Sequence, residues 1–449
     1  MTNEGYTRTE RQLLKLARRS FLTLWSHANV FREDTGGNKE LCDLLVIFED
    51  RVIIFSDKDC AFSDSDYLIA WKRWFKRSIE KSCHQINNAE KIILNPGIKL
   101  YSDVRCLKEI PVKIPSGPIK IHRILTVHNT DEFSIKYPQN LKRRLGLDSR
   151  IIADAHYQSE NVMRIGYPSR SDKFTHVFDD TSLSIVMDNL DTIADFFRYL
   201  DYKENLAKGH DIIAYREEDI LADYISGGDL RCKFQNLIIF PYGSWEKILY
   251  SIDYHNYKKM IEESRYWDIL IEKFTEQASN DEQYFKTPGG VSGIEIAVRW
   301  MAKADRSTRR YLSCLLMEFA HDESSLNKLN TRRTRVIEPL YPGGPYYIFL
   351  FLDSHGFNDY ELYRQARFMY LKIYAAGLKA RFGIGNLVIA LGFDNPNGGD
   401  NSEDLVYIDN SNWHPVGNEK IYDDMKLLGI YQDPPKRSLA IVNYTGDTK

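Results

Sequence analysis

The chain has 449 residues, beyond the size at which one hydrophobic core ordinarily keeps growing, so at least two domains are expected. Apolar residues at 43% and charged residues at 27%, with no long apolar span and a polar, basic start, point to a soluble cytoplasmic protein with neither a membrane span nor a signal peptide. A formal net charge of −3 excludes a polycation, so any nucleic-acid binding must use local basic patches.

Residues 9–25 read as an amphipathic helix. Leu13, Leu14, Ala17, Phe21, Leu24 and Trp25 form one apolar stripe, and Glu10 falls in its middle. An acid on a buried face needs a partner. The alternative is that Glu10 belongs to the first helical turn, where Thr7 or Thr9 caps the helix and a carboxylate suits the dipole.

Residues 44–48 and 52–55 are rich in β-branched and aromatic side chains, and Glu49-Asp50 between them is a short polar turn, which predicts a β-hairpin. Asp43 and Lys58 then meet at its open end. Because side chains alternate between the two faces of a strand, the register decides which of them share a site. With Glu49-Asp50 as the loop, Asp43 falls opposite Ser56, Lys58 joins them on one face, and Asp57 points away. With Arg51 added to the loop, Asp43 faces Asp57 and Lys58 crosses to the other side. The first register is favoured because it gathers Asp43, Ser56 and Lys58.

An acid, a hairpin, and then x-x-Lys at the end of the second strand resembles the core of the PD-(D/E)xK nuclease superfamily. The resemblance implies a restriction-endonuclease-like mixed sheet flanked by helices. It also implies Asp43 as a ligand of Mg²⁺ or Mn²⁺, with Lys58 orienting or activating water and stabilising charge on the phosphate. The superfamily's second acid, two residues before the lysine, maps onto Ser56, and this is a departure. A hydroxyl is a poor Mg²⁺ ligand beside a carboxylate, so a second carboxylate must come from elsewhere. Glu40, three residues before Asp43, Asp57 and Glu10 are the candidates. Many members carry an acid on the first core helix, which gives Glu10 a role, and some place a glutamine on the next helix, which gives Gln85 one.

The next element, residues 67–88, has Trp71, Phe75, Ile79 and Ile86 at helical spacing. Its opposite surface carries Lys72, Arg73, Lys76, Arg77 and Lys81, with Trp74 at the margin, which suits a phosphate backbone. An ordinary solvated helix face has the same composition. Residues 91–94, 119–127, 176–178 and 211–214 read as further strands, with helices over 181–190 and 192–207 and caps near Ser182 and Asp191. The nuclease-like domain is therefore placed at 1–235, with 130–170 as an insertion.

Residues 236–449 read as a helix-rich α/β domain: helices over 245–251, 257–277, 295–301 and 309–319, then strand 346–352, helix 359–381, and strands 386–392 and 405–408. The break at Thr287-Pro-Gly-Gly290 separates the helical pairs. The strand-helix-strand portion fits either a βαβ crossover or an element on a separate sheet. Gly383-Ile-Gly385 precedes a strand rather than a helix, so it is no phosphate loop. Asp353, Asp394, Asp400 and Asp404 read as turn residues.

Other chemistries lack their patterns. Gly243-Ser244-Trp245 is no nucleophile elbow. His122, His128 and His176 form no short zinc motif and read as core or surface histidines. Cys42, Cys60, Cys83, Cys106, Cys232 and Cys314 are spaced for neither zinc nor a disulfide framework. Further basic patches occur at Lys142-Arg-Arg144, Arg309-Arg310 and Arg332-Arg333-Thr-Arg335. The expectation is a metal-dependent nuclease acting on DNA ahead of RNA, and the resemblance implies a setting of prokaryotic anti-phage defence. The alternatives are an inactive nuclease fold serving as a nucleic-acid-binding or assembly module, and a protein-interaction or ligand-sensing protein. The C-terminal domain is the expected surface for a protein partner or a second copy.

Overall fold

The computed structural model describes residues 6–138, 144–170, 173–279, 291–321, 332–354, 357–394, 402–414 and 418–432. It is a mixed α/β protein with two compact units, one holding the described residues up to Cys314 and the other those from Leu315 onward.

The first unit is built on a five-stranded sheet. Helix α1 (Arg8–Trp25) leads into β1 (Ser26–Arg32), β2 (Lys39–Phe48) and β3 (Arg51–Lys58), which pair antiparallel in that order. Helix α2 (Tyr67–Phe75) continues through a π-helical turn at Lys76–Glu80 into α3 (Lys81–Ile93). This long crossover lets β4 (Lys120–Val127) lie parallel to β3. After α4 (Thr130–Lys136), strands β5 (Gly146–Ile152) and β6 (Arg164–Tyr167) leave this sheet, and β7 (His176–Asp179) returns parallel to β4. Helices α5 (Asp180–Asn189) and α6 (Ile193–Gly209) follow.

Strand alternation sorts the two faces of this sheet. Leu45, Ile47, Val52, Ile54 and Leu125 share a core with Trp71, Trp74, Phe75 and Ile79 of the α2–α3 helix. On the other face Phe21 of α1 meets Phe55 at 6.3 Å and Phe196 of α6 at 5.1 Å, and Trp25 meets Phe48 at 5.1 Å. Helices thus cover both faces.

A second five-stranded sheet, ordered β6-β5-β8-β10-β9, adds β8 (Asp211–Ala214), β9 (Cys232–Phe234) and β10 (Leu237–Phe240). Residues 130–170, read as an insertion, therefore supply α4 and two strands of this sheet. Residues 91–94, read as a strand, instead end α3, because the π turn carries one helix onward through a run too short for its period to decide. The helices α5 and α6 are capped by Asp179 and Thr192 rather than Ser182 and Asp191.

The helices following Phe240 belong with the first unit, not with a domain starting at 236. Glu272 accepts the Thr23 amide at 2.6 Å, and Lys303 pairs with Glu49 at 2.9 Å. Arg306 lies buried between Asp191 and Asp268, at 2.7 Å from each, and Arg309 is fully buried against Asp268 at 2.6 Å. Arg309 is thus an internal counter-charge and not part of a surface patch.

The second unit has a four-stranded sheet of β11 (Arg332–Ile337), β12 (Tyr346–Leu352), β13 (Leu387–Asp394) and β14 (Glu403–Asp409). Helix Tyr360–Phe382 joins the parallel pair β12 and β13, which makes a βαβ crossover in one sheet. Arg367 is fully buried between Asp394 at 2.5 Å and Asp404 at 2.7 Å, so these two acids are core ion-pair partners rather than turn residues. Arg332 lies over the Tyr370 ring at 4.8 Å and Arg333 over Phe351 at 5.2 Å, so this basic run is spent on packing. Asp400, Lys142, Arg143 and the 287–290 break lie outside the described residues.

Removing one partner of a buried charge network strands the others. Arg306→Ala is therefore expected to lower the unfolding free energy by about 3–5 kcal/mol, whereas the exposed change Lys247→Ala stays within about 0.5 kcal/mol. Urea denaturation followed by circular dichroism measures both, and a cost for Arg306→Ala equal to the control contradicts the assignment of these helices.

Candidate functional site

The hairpin loop is Glu49-Asp50, since Phe48 pairs with Arg51 and Leu44 with Phe55. Glu49 takes a positive φ of 52° to make the turn. One step beyond the last pair, the Asp43 Oδ2 accepts the Ser56 hydroxyl at 3.1 Å and the Asp57 amide at 2.5 Å, and lies 3.5 Å from the Lys58 Nζ. Asp43, Ser56 and Lys58 therefore share the face that α2 and α3 cover, as the two-residue loop requires.

A separation of three puts Glu40 and Asp43 on opposite faces of an unbroken strand. The strand is not unbroken: Val30 pairs with Cys42 but Phe31 with Glu40, leaving Leu41 as a bulge. A bulge resets the alternation. Burial and the charges of Asp43 and Glu10 together hold the Glu40 carboxyl above its usual range, against the lowering effect of an Asn29 hydrogen bond. Burial likewise raises Asp43, although Lys58 and the Asp57 amide pull it down.

Asn29 ties the acids together. Its amide Nδ2 donates to Glu10 Oε2 at 3.1 Å and to Glu40 Oε1 at 3.0 Å. Glu10 also accepts the amides of Tyr6 at 2.7 Å and Thr7 at 3.2 Å, while Thr7 caps the Glu10 amide. Glu10 thus closes the capping box expected of a first-turn acid, and it is linked to Glu40 through Asn29. Burial acts to raise its carboxyl, but the Asn29 and backbone hydrogen bonds lower it on balance.

Asp57 does not join this cluster. It lies on the opposite face, where its Oδ1 is 2.7 Å from His128 Nε2, and the other ring nitrogen of His128 pairs with Asp180. Burial alone would lower the His128 imidazole, but the bonds to Asp180 and Asp57 outweigh it and raise it to about 10. Gln85 is exposed on α3 and has no hydrogen bond among the described residues, so nothing brings it to the hairpin end. Lys72, Arg73, Lys76, Arg77 and Lys81 are all exposed on the outer surface of α2 and α3. Trp74 is not at their margin: it is fully buried and stacked on Phe62 at 4.8 Å.

Sequence reasoning missed a second cluster. Among the described residues, one group of three His, Cys, Asp or Glu has its ligand atoms all within 4.8 Å of one another, namely His122, His176 and Glu204. Glu10, Glu40 and Asp43 are more dispersed. His122 on β4 and His176 on β7 are neighbours only through strand pairing, and Glu204 comes from α6, so no short motif announces them. Asn29 was missed with its strand, in which polar residues interrupt the apolar pattern. No family model, curated protein or solved structure matches the chain.

The raised His128 imidazole stabilises the fold when protonated. That contribution is present below the ordinary value of 6.5 and is lost as the pH rises through about 10. Wild type is expected to lose stability over this interval, and His128→Gln is expected to lose less. Urea midpoints across the range test this, and parallel curves contradict it.

Proposed function

We propose that the open end of the hairpin is the divalent-metal site of a nuclease that hydrolyses phosphodiester bonds, of DNA in the first instance. The observation that carries this reading is the register that sets Lys58 beside Asp43 on one face of the sheet. The chain order also supports it: a helix, three antiparallel strands, a helical crossover and a strand parallel to the third is the arrangement expected of a restriction-endonuclease-like core.

The donor set suits a hard cation. Asp43 and Glu40 offer carboxylate oxygens, and Mg²⁺ is commonly held by one or two such groups while keeping several waters. Glu40 is raised by burial first and then by the charges of Asp43 and Glu10, and a dication offsets that repulsion. Glu10 is placed to assist through Asn29, and Mn²⁺ fits the same oxygens.

When bound, Mg²⁺ supplies an activated water for in-line attack and stabilises the leaving oxygen. The chain's own residues do the rest. The Ser56 hydroxyl and the Asp57 amide hold Asp43 Oδ2 in place. Lys58 offers its ammonium to the phosphate as negative charge develops. The exposed lysines and arginines of α2 and α3, on the same side of the sheet as Asp43, attract the nucleic-acid backbone.

A second reading rests on Ser56. With a hydroxyl where the superfamily has its second acid, the same fold serves as a nucleic-acid-binding module without cleavage. Plasmid cleavage with Mg²⁺ or Mn²⁺ separates the two. Asp43→Ala and Lys58→Ala are each expected to reduce the rate by about 10²-fold or more. Binding without metal-dependent cleavage in wild type supports the module, and neither binding nor cleavage contradicts both.

The basic face has its own test. Lys72→Ala with Lys76→Ala is expected to weaken DNA binding across sequences. The slope of log affinity against log salt should fall by about 1 for each phosphate left without its cation. Titrations of labelled DNA at several salt concentrations measure this, and an unchanged slope removes the helix from the interface.

A further inference from the structure

Behind the sheet, on the face opposite Asp43, His122 Nδ1 lies 2.7 Å and His176 Nε2 lies 3.2 Å from the same oxygen, Glu204 Oε1. Both rings are fully buried, and Glu204 is 8% exposed. A carboxylate oxygen satisfying two imidazole N–H groups would be an ordinary buried network if the remaining ring nitrogens had partners. Neither makes a hydrogen bond: His122 Nε2 and His176 Nδ1 are both buried, and the Asp201 carboxylate is 3.7 Å from the first, beyond hydrogen-bond reach. Those two nitrogens are not the ones that contact Glu204; the atoms placed to share a cation are His122 Nδ1, His176 Nε2 and the Glu204 carboxylate, in a buried group whose ligand atoms all lie within 4.8 Å of one another.

We propose that His122, His176 and Glu204 form a transition-metal site of the zinc class. Imidazole and carboxylate donors favour Zn²⁺ over Mg²⁺, and two histidines with one glutamate are a known three-ligand set for zinc with the fourth position left to water. Charged groups that could serve as outer partners stand next to two of the three residues. A metal-bound histidine turns its other N–H toward a carboxylate, and a ligating carboxylate is itself hydrogen-bonded. His122 Nε2 faces Asp201 Oδ1 at 3.7 Å, and Lys120 Nζ lies 3.3 Å from Glu204 Oε2, leaving Oε1 for the metal. His176 also borders a cavity of about 20 Å³, enough for one water molecule. This site is independent of the hairpin acids and is structural or catalytic in its own right.

The test uses the full chain, stripped with a chelator and titrated with ZnCl₂, and separately with CoCl₂ as the spectroscopic probe. One Zn²⁺ per chain is expected, with a rise in melting temperature, and Co²⁺ is expected to give the strong visible absorption of a four-coordinate site. His176→Gln and Glu204→Gln should each weaken binding by about 100-fold or more, while Asp43→Ala leaves it intact. Circular dichroism of the metal-free variants checks that they fold. If both variants unfold, X-ray absorption of the zinc-loaded wild type decides, with two imidazoles in the shell as the expected result. No stoichiometric zinc, a shell without two imidazoles, or binding lost in Asp43→Ala and kept in Glu204→Gln overturns the proposal.

Discussion

A two-residue loop fixes the β2–β3 register, and the rest of the candidate site depends on that register. Because side chains alternate along a strand, one extra loop residue would send Lys58 to the far face and set Asp57 opposite Asp43. The apolar faces hold the register in place: Ile47, Val52 and Ile54 are buried against α2 and α3, while Phe48 and Phe55 are buried against the α1 side. A slip would expose both sets to the wrong layer. The same alternation that builds the core therefore positions the charges at its open end.

The acids at that end are held at a cost to the fold. Asp43 and Glu40 are raised above the usual carboxylate range, by burial first and then, for Glu40, by the neighbouring acids' charge. Their contribution to stability is present in acid and is lost as the pH rises through the raised values, so at neutral pH the ionised pair works against folding. Asn29, bridging Glu10 and Glu40, and Lys58, beside Asp43, offset part of this. Bound cation would offset more. Sites that keep like charges together while the surrounding fold supports them are where function is commonly found.

The sequence made the hairpin legible because β-branched runs flank a short polar turn, and the α2–α3 helix legible because its aromatic residues recur at helical spacing. Other features depend on distant partners. The bulge at Leu41, which resets Glu40 relative to Asp43, has no local signature. Strand Ser26–Arg32 escapes a reading by pattern because buried His27 and Asn29 break its apolar run, and with it goes the residue that joins two acids. Arg306, Arg309 and Arg367 look like surface charges in a sequence, and only their aspartate partners from remote segments show them to be core. The same blindness to remote partners puts the expected domain boundary at 235. His122, His176 and Glu204 meet only because β4 and β7 pair and α6 covers them.

The central claim, that the hairpin end binds a divalent cation through Asp43, is tested most directly by anomalous scattering from crystals soaked in Mn²⁺. A manganese peak is expected within ligand distance of the Asp43 carboxylate, with Glu40 contributing to the same ion. An Asp43 carboxylate without a peak beside it, at a concentration that supports cleavage or DNA binding, would contradict it.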